Sequence, residues 1–525
     1  MELDEVADEA KAGNVAKLFD ETARHHGEAL AMEHRGERWT HEELRDATAT
    51  FAGGLHDIGL EPGDVMLVYM PNCPEYILSS LGSMKAGVVV SPVNPQYKTR
   101  EVSYQLENTE AGAVIVHFAL RNVLEKACDE AGMDPTVITV GGEGKEGDYT
   151  FDEVSGEPTL VECEEDDVSL LPYTSGTTGD PKGVQLTHGN TRAQLSMILS
   201  QPSDLEDEEI RSLIWLPLYH ITGFTHTAFQ PLVRGGAVFL RSALNWDAEE
   251  CMELIQDEGI TTFVGVTTMY VDMVESETFG EYDLTSLESA GEGGAKMSVA
   301  VQEQFEETAG IDMTEGYGLT ETHGATHMQG LSTHGLKHGT IGQPLRMTDC
   351  KIVDSEGNEV PEGETGELLV RGPMVMTGYH EMPEATEEAF TDLGYFRTGD
   401  VARRDSTNYY EIVDRKKHMI NTAGYNVYPS EIEEFLAEHE AISEAAIVGI
   451  PDERRNEIPI AFVVTAPDVE PGEDITEEEI KEYCLENMAE YKHPREVTFV
   501  RQLPRTTSGK IQKFKLEEQH LEGDE

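Results

Sequence analysis

The chain has 525 residues, 38% of them hydrophobic, and sets 101 Asp and Glu against 38 Lys and Arg for a formal net charge of −63. That length exceeds one ordinary hydrophobic core, so at least two domains are expected. The acid is spread along the whole chain, which argues against a disordered acidic arm and against a nucleic-acid partner, whose phosphates would be repelled.

Such a balance suits concentrated salt, where charges are screened over a few ångströms and net negative charge keeps the surface hydrated. The N-terminus, Met1-Glu2-Leu3-Asp4-Glu5, is acidic and lacks an apolar h-region, so no secretory signal is expected. No apolar run approaches the roughly 18 residues of a membrane span. The six cysteines (Cys73, Cys128, Cys163, Cys251, Cys350, Cys484) lie far apart without a C-x-x-C pair. They read as ordinary thiols of a reducing cytosol rather than a disulfide or zinc framework. A cytoplasmic protein is expected.

In chain order, Thr40-x-x-Glu43 is a capping box that opens a helix with Leu44, Ala47 and Phe51 on one face. Val65 to Tyr69 reads as a strand, Pro71 to Pro74 opens a second helix, and Gly87 to Val90 reads as the next strand. Val114 to Val116 and Thr136 to Val140 repeat the theme, as do Ala237 to Leu240, the helix Asp247 to Asp257 and the buried strand Thr262 to Val266. Short apolar strands alternating with helices predict α/β architecture, with parallel sheet covered on both sides. After Asp400 the texture changes, and Val401 to Lys417, rich in charged pairs, is expected to separate two blocks. Beyond it, Ser430-x-x-Glu433 predicts a capped helix with Ile432, Phe435 and Leu436 on one face. Strands Ala445 to Ile450 and Ile460 to Val464, a Thr476-x-x-Glu479 box and a last strand Val497 to Val500 complete a module of about 100 residues, a usual domain size.

The stretch Tyr173-Thr174-Ser175-Gly176-Thr177-Thr178-Gly179-Asp180-Pro181-Lys182-Gly183-Val184 alternates hydroxyls with glycines and ends in a lysine. Backbone N–H groups, hydroxyls and one positive charge in such a loop can surround a polyphosphate. It is not a Walker P-loop, because no Gly-Lys-Ser/Thr follows and no helix opens at the lysine; the apolar runs on either side predict a loop joining two strands. Four further segments stand out: Gly291-Glu292-Gly293-Gly294-Ala295, Tyr317-Gly318-Leu319-Thr320-Glu321, Tyr395-Phe396-Arg397-Thr398-Gly399-Asp400 and Pro504-Arg505-Thr506-Thr507-Ser508-Gly509-Lys510.

Together, in this order and from about residue 15 to residue 513, these segments resemble the adenylate-forming superfamily of acyl-CoA synthetases, amino-acid adenylation domains and luciferases. The resemblance implies a large N-terminal AMP-binding domain of helix-covered sheets, residues 1–416, and a smaller mobile C-terminal α/β lid domain, residues 417–525. It places Thr174, Ser175, Gly176, Thr177, Thr178, Gly179 and Lys182 around the ATP phosphates, and Gly293, Gly294 and Ala295 under the adenine, with Lys296 where proline is usual. It gives Tyr317 to adenine stacking, Gly318 and Thr320 to the nucleotide, Glu321 and Thr174 to Mg²⁺, and Asp400 and Arg415 to the ribose. A carboxylate offers two oxygens to a vicinal diol, and magnesium favours one or two carboxylates beside phosphate oxygens. Lys417 becomes the hinge, followed by His418 where an acidic residue is common; Gly424 and Tyr425 line the CoA passage. Lys510, with Thr178 and Lys182, carries the catalysis.

The implied reaction joins a carboxylate to AMP and then passes the acyl group to CoA. Leu216-Pro217-Leu218-Tyr219-His220-Ile221-Thr222-Gly223 resembles the acyl-pocket motif, without the aspartate of amino-acid-activating relatives. The expected lining is His220, Gly223, Phe224, Val264, Val266, Met269 and Gly318. Glycine at 318, where acetate-activating relatives carry tryptophan, is expected to leave a deeper cavity suited to a hydrocarbon tail. Medium- or long-chain fatty acids are favoured, with aryl acids of the benzoate or coumarate type and a luciferase-like, CoA-independent chemistry as alternatives. The partners are the acid, ATP, CoA and Mg²⁺, with a homodimer left open. From the charge alone, raising KCl from dilute buffer to molar concentration is expected to raise the thermal unfolding midpoint; a midpoint independent of salt would refute the adaptation to concentrated salt.

Overall fold

The computed structural model describes residues 13–523, apart from 175–180, 202–204, 206–208, 294–298, 331–334, 423–424, 453, 468 and 506–510. Thr40 caps the helix His41–Asp57 through a complete capping box with Glu43, as the sequence predicts. The strands Val65–Tyr69, Val89–Pro92, Ala113–His117 and Thr136–Val140 pair in parallel, and Lys182–Thr187 adds an antiparallel edge through Val168–Leu170. A second sheet runs in parallel from Leu30–His34 through Ala237–Leu240, Arg211–Ile214, Thr262–Gly265 and Ser289–Gly293 to Met313–Leu319. Gly324–Met328 then folds back antiparallel. The runs are apolar because both faces of each sheet are covered.

One contiguous core joins both sheets. It takes in Met66, Val90 and Ile115 from the first, Ile214, Val238 and Leu240 from the second, and Leu368, Val370 and Tyr410 from a third sheet. Asn72, 5% exposed, bolts the two large sheets together at the ends of their strands. Its amide nitrogen donates to Leu216 O and Arg241 O, each at 2.9 Å, and its oxygen accepts from Leu218 N at 2.8 Å.

The third sheet, Asp349–Val353, Gly366–Arg371, Phe396–Arg404 and Tyr410–Arg415, is antiparallel. It corrects the expectation that Val401 to Lys417 is a separator: most of that segment is a hairpin, and only the turn after Arg415 leads to the next sheet. Its charges are cross-strand pairs on an open face, as between the registered residues Arg403 and Glu411 at 2.8 Å. The smaller C-terminal domain pairs Ile420–Thr422 and Ile442–Asp452 with Asn456–Thr465, and its core clusters draw only on residues from Ile420 onward. The fold is therefore α/β, with a large N-terminal domain and a smaller C-terminal one.

The Thr476 box forms as predicted, but the Ser430 box does not. Pro429 takes the first helical position of Pro429–Ala437 and leaves Tyr428 as cap, because its fixed φ and missing N–H suit that place. Ser430 instead donates N–H and Oγ–H to Asp414 Oδ2 at 2.9 and 3.0 Å, linking the third sheet to the first helix of the C-terminal domain. No helix among the described residues is long and apolar enough to cross a membrane.

Candidate active site

In a mostly parallel sheet the carboxyl ends of the strands open onto the crevice where ligands bind. Here those ends carry Val264 (in the strand Thr262–Gly265) and Val266 (just after it), Gly293, and Tyr317 with Gly318. The register aligns Gly265 with Glu292 and Gly293 with Gly316, so these residues share one rim. A Cβ at Gly293 would meet nothing within 4 Å, so the rim is open there to a flat group.

The third sheet supplies the facing wall. Asp400, 2% exposed, is registered with Arg415 across its hairpin. Its carboxylate accepts a hydrogen bond from Tyr317 Oη at 2.5 Å and stands 2.9 Å from Arg415 Nε. Burial, reinforced by that carboxylate, pushes the Tyr317 phenol well above its ordinary pKa, so it serves as a donor.

The glycine- and threonine-rich loop springs from two antiparallel strands, as predicted. Thr174 pairs with Lys182 and Tyr173 with Gly183, while Tyr104 Oη donates to Pro181 O at 3.0 Å and Tyr173 Oη to Asn108 Oδ1 at 2.6 Å. Ser175, Gly176, Thr177, Thr178 and Gly179 lie outside the described residues, as do Gly294, Ala295, Gly424 and Lys510. From the loop's base, Lys182 Nζ sits 4.7 Å from the ring centre of Tyr379, whose hydroxyl donates to Glu321 Oε1 at 3.0 Å. Glu321 O in turn accepts from Met376 N at 2.8 Å. Two contact sets, Lys182–Tyr379–Glu321 and Tyr317–Asp400–Arg415, are joined by the backbone from Tyr317 to Glu321 and together reach across all three sheets of the N-terminal domain. Thr320 lies in the short turn Thr320–Thr322 between Tyr317 and that carboxylate.

The acyl-side residues separate into two groups. Val264 and Val266 are half-buried on the rim and Met269 is buried in the first turn of Thr267–Glu275. Phe224 packs instead into the core, 6.4 Å from the ring of Tyr76 and 5.9 Å from that of Phe229. Gly223 is buried where a Cβ would fall 2.2 Å from Pro217 O, and His220 is exposed against Tyr219. The expectation that glycine at 318 deepens a cavity does not hold. A Cβ there would lie 1.8 Å from Gly324 O, because Met313–Leu319 and Gly324–Met328 cross tightly at an irregular register. Close backbone approach, not pocket depth, requires that glycine.

In the C-terminal domain Tyr425 is 56% exposed and stacks on Tyr491, with ring centres 4.5 Å apart. Lys417 is exposed in the turn after Tyr410–Arg415.

The AMP-binding enzyme family matches residues 19–380, and the AMP-binding enzyme C-terminal domain matches residues 431–510. The chain belongs to this family of AMP-binding enzymes. A long-chain-fatty-acid–CoA ligase of Bacillus subtilis (strain 168) is 31% identical, covering 96% of this chain and 94% of its own. A feruloyl-CoA synthase of Amycolatopsis sp is 34% identical, over 94% and 96%. The solved anthranilate CoA ligase AuaEII, in complex with anthranoyl-AMP, matches with a TM-score of 0.88 at 26% identity over 98% of each chain.

Reasoning from the sequence misses several residues of this AMP-binding enzyme's site. Tyr379 lies in a two-residue strand with no period to read, and Asn72 acts through backbone groups of distant segments. His226, on the wide π-helical turns Thr222–Phe229, accepts from Ala325 N at 3.4 Å and fills the space a side chain at Gly324 would need. The signal available for it was the glycine at 324.

Behind the rim, burial holds both His323 and His327 at a pKa of about 3, and each is 0% exposed. Their folded pKa lies below the unfolded value near 6.5, so this stability is full above pH 6.5 and is lost as pH falls, by about 1.4 kcal/mol per pH unit for each. His327→Phe is expected to flatten the pH dependence of urea unfolding between pH 6 and 4.5 by about that slope; an unchanged slope would mean that folded His327 takes up its proton. Gly318→Ala is expected to cost about 2 kcal/mol or more through overpacking, read as a shift of the denaturation midpoint in molar KCl.

Proposed function

We propose that this AMP-binding enzyme is an ATP-dependent acid–CoA ligase, which forms an acyl-adenylate and then an acyl-CoA thioester. The observation that carries the reading is the pair of contact sets Lys182–Tyr379–Glu321 and Tyr317–Asp400–Arg415, joined by the backbone from Tyr317 to Glu321. Its groups match the parts of ATP in order: ammonium and carboxylate for phosphates and their cation, aromatic ring for the base, buried carboxylate for the ribose diol.

Free carboxylate is a poor acyl donor because its anionic oxygen leaves badly, and a mixed anhydride with AMP supplies a stabilised phosphate as leaving group. The substrate carboxylate attacks the α-phosphorus in line and expels pyrophosphate. Positioning and charge stabilisation are what the protein contributes. Asp400 and Arg415 fix the ribose, Tyr317 the base, and Lys182 with Thr174 and Thr177 the departing phosphates. The residues present fit a magnesium ion. Glu321 is half-buried at the rim with one oxygen held by Tyr379, and among the described residues no cluster of three His, Cys, Asp or Glu side chains forms a protein-only cage. Glu321 and Thr174 would hold the ion, which when bound supplies charge neutralisation at the phosphates. By the resemblance of its motif, Lys510 reaches the α-phosphate during adenylation. The C-terminal domain, residues 417–525, then turns about Lys417 to bring Gly424 and Tyr425 to the CoA passage, a hinge motion of a common kind.

Medium- and long-chain fatty acids are the favoured substrates, supported by the likeness to the Bacillus ligase over nearly the whole chain. Aryl acids are the second reading, supported by the likeness to a feruloyl-CoA synthase. A pyrophosphate-release screen over alkyl and aryl acids, with and without CoA in molar KCl, is expected to peak on medium- and long-chain alkyl acids. Turnover confined to cinnamate- or benzoate-type acids would shift the assignment to the second reading. Lys510→Ala is expected to abolish acid-dependent ATP–pyrophosphate exchange and to spare thioester formation from supplied acyl-AMP; equal loss of both half-reactions would refute the division of labour.

A further inference from the structure

One side chain stands between the two charged groups that the proposed reading gives to the phosphates and their cation. Tyr379 sits on the strand Gly378–Tyr379, which pairs antiparallel with Lys182–Thr187 in the register Val184 with Tyr379 and Gln185 with Gly378. Its ring faces Lys182 Nζ at 4.7 Å and its hydroxyl donates to Glu321 Oε1 at 3.0 Å.

Both ends of this bridge are held from behind. Tyr379 N donates to Thr386 Oγ1 at 2.9 Å, Thr377 N to Gln185 O at 3.1 Å and Met376 N to Glu321 O at 2.8 Å. The strand cannot slide along Lys182–Thr187 without losing its bond to the main chain of Glu321. The phenol can donate only one proton, and it is spent on one carboxylate oxygen, which leaves Oε2 for another partner. An ammonium over the ring face is attracted by the ring quadrupole and is held there rather than folded back onto the carboxylate.

The geometry points to Tyr379 as a positioning residue that sets both ligand-facing charges. Its hydroxyl orients Glu321 toward the cation and its ring orients Lys182 toward the phosphates. The inference rests on the reading of this crevice as an ATP site.

The test is calorimetric titration of the full chain with α,β-methylene ATP in molar KCl, once with Mg²⁺ and once with EDTA, so that affinity rather than turnover is read. Tyr379→Phe keeps the ring and is expected to weaken the Mg²⁺-dependent gain in affinity about tenfold, the scale of one hydrogen bond to a charged group, while leaving binding in EDTA unchanged. Tyr379→Leu is expected to weaken binding in EDTA as well, by about threefold. In a Glu321→Gln background, Tyr379→Phe is expected to add nothing, because the hydroxyl acts through that carboxylate. A Mg²⁺-dependent gain equal in wild type and Tyr379→Phe, or a loss that persists in the Glu321→Gln background, would overturn the role of Tyr379 alone. A wild-type protein that binds the analogue under neither condition would overturn the ATP site itself.

Discussion

A buried carboxylate that belongs to two sheets at once sets the geometry of this molecule. Asp400 lies on the third sheet, and its phenolic partner Tyr317 lies at the carboxyl end of the second. Taking a carboxylate out of water costs several kcal/mol, offset only where good partners surround it. Tyr317 and Arg415 provide them within 2.5 and 2.9 Å. If either sheet rotated away, the buried carboxylate would keep Arg415, its neighbour across the same hairpin, but lose the hydrogen bond from Tyr317, so the Tyr317–Asp400 bond acts as a register pin between the two layers, beside the backbone pairing of Gly342 with Tyr410. The same pin sets how far the ring of Tyr317 stands from the open face of Gly293.

The first sheet joins this arrangement through a different chemistry. Its edge strand Lys182–Thr187 is not left exposed; Gly378–Tyr379 covers it, and that short strand carries the tyrosine that reaches Glu321. An antiparallel edge needs a cover, and here the cover doubles as the link between the base of the glycine- and threonine-rich loop and the carboxylate. Asp414 extends the logic to the C-terminal domain by accepting both Ser430 N and Ser430 Oγ. The bond lies just before the turn that carries Lys417, so it ties the helix Pro429–Ala437 to the fixed side close to the proposed pivot. Groups near a pivot move least, which lets such a bond coexist with a large swing further out.

Much of this was legible in the residues. Apolar runs bounded by glycine and proline gave the parallel strands, because strands covered on both faces carry no polar alternation to confuse the period. Thr40 and Thr476 announced their helices because nothing competed with the side-chain caps. Ser430 failed because proline beside it moved the cap to Tyr428, a change of two positions that no count of Ser-x-x-Glu detects. Val401 to Lys417 was read as a separator because the open face of the hairpin it largely forms carries charge and a lone antiparallel edge has little apolar signature. In the candidate site, the residues to which the proposed reading assigns constant chemistry (phosphate, ribose, adenine) fall in motifs whose spacing is readable. Tyr379, Asn72 and His226 act across tens to hundreds of residues of separation, through contacts that exist only once the sheets are stacked.

Gly318 shows why the acid is harder to read than the nucleotide. A glycine in a motif invites the inference that something bulky is admitted beside it, yet the missing Cβ here faces Gly324 O at 1.8 Å. Space is set by what the backbone does next, and the next turn of this backbone is Thr320–His323, followed by a strand that folds back over it. Gly324 in turn makes room for His226, so the volume beside the rim is handed from a glycine to an imidazole on a π-helical segment. A widened helix shifts every following side chain around its axis, and the segment from Thr222 to Phe229 carries Gly223 and Phe224, two of the residues expected to meet the acid. Fatty-acid and feruloyl ligases resemble this chain to nearly the same degree, 31% and 34%, so likeness does not separate a flexible tail from a flat ring. For the proposed acid–CoA ligase we propose His226, Val264, Val266 and Met269, rather than the motif glycines, as the positions at which exchange of side chains moves it from one class of acid to the other.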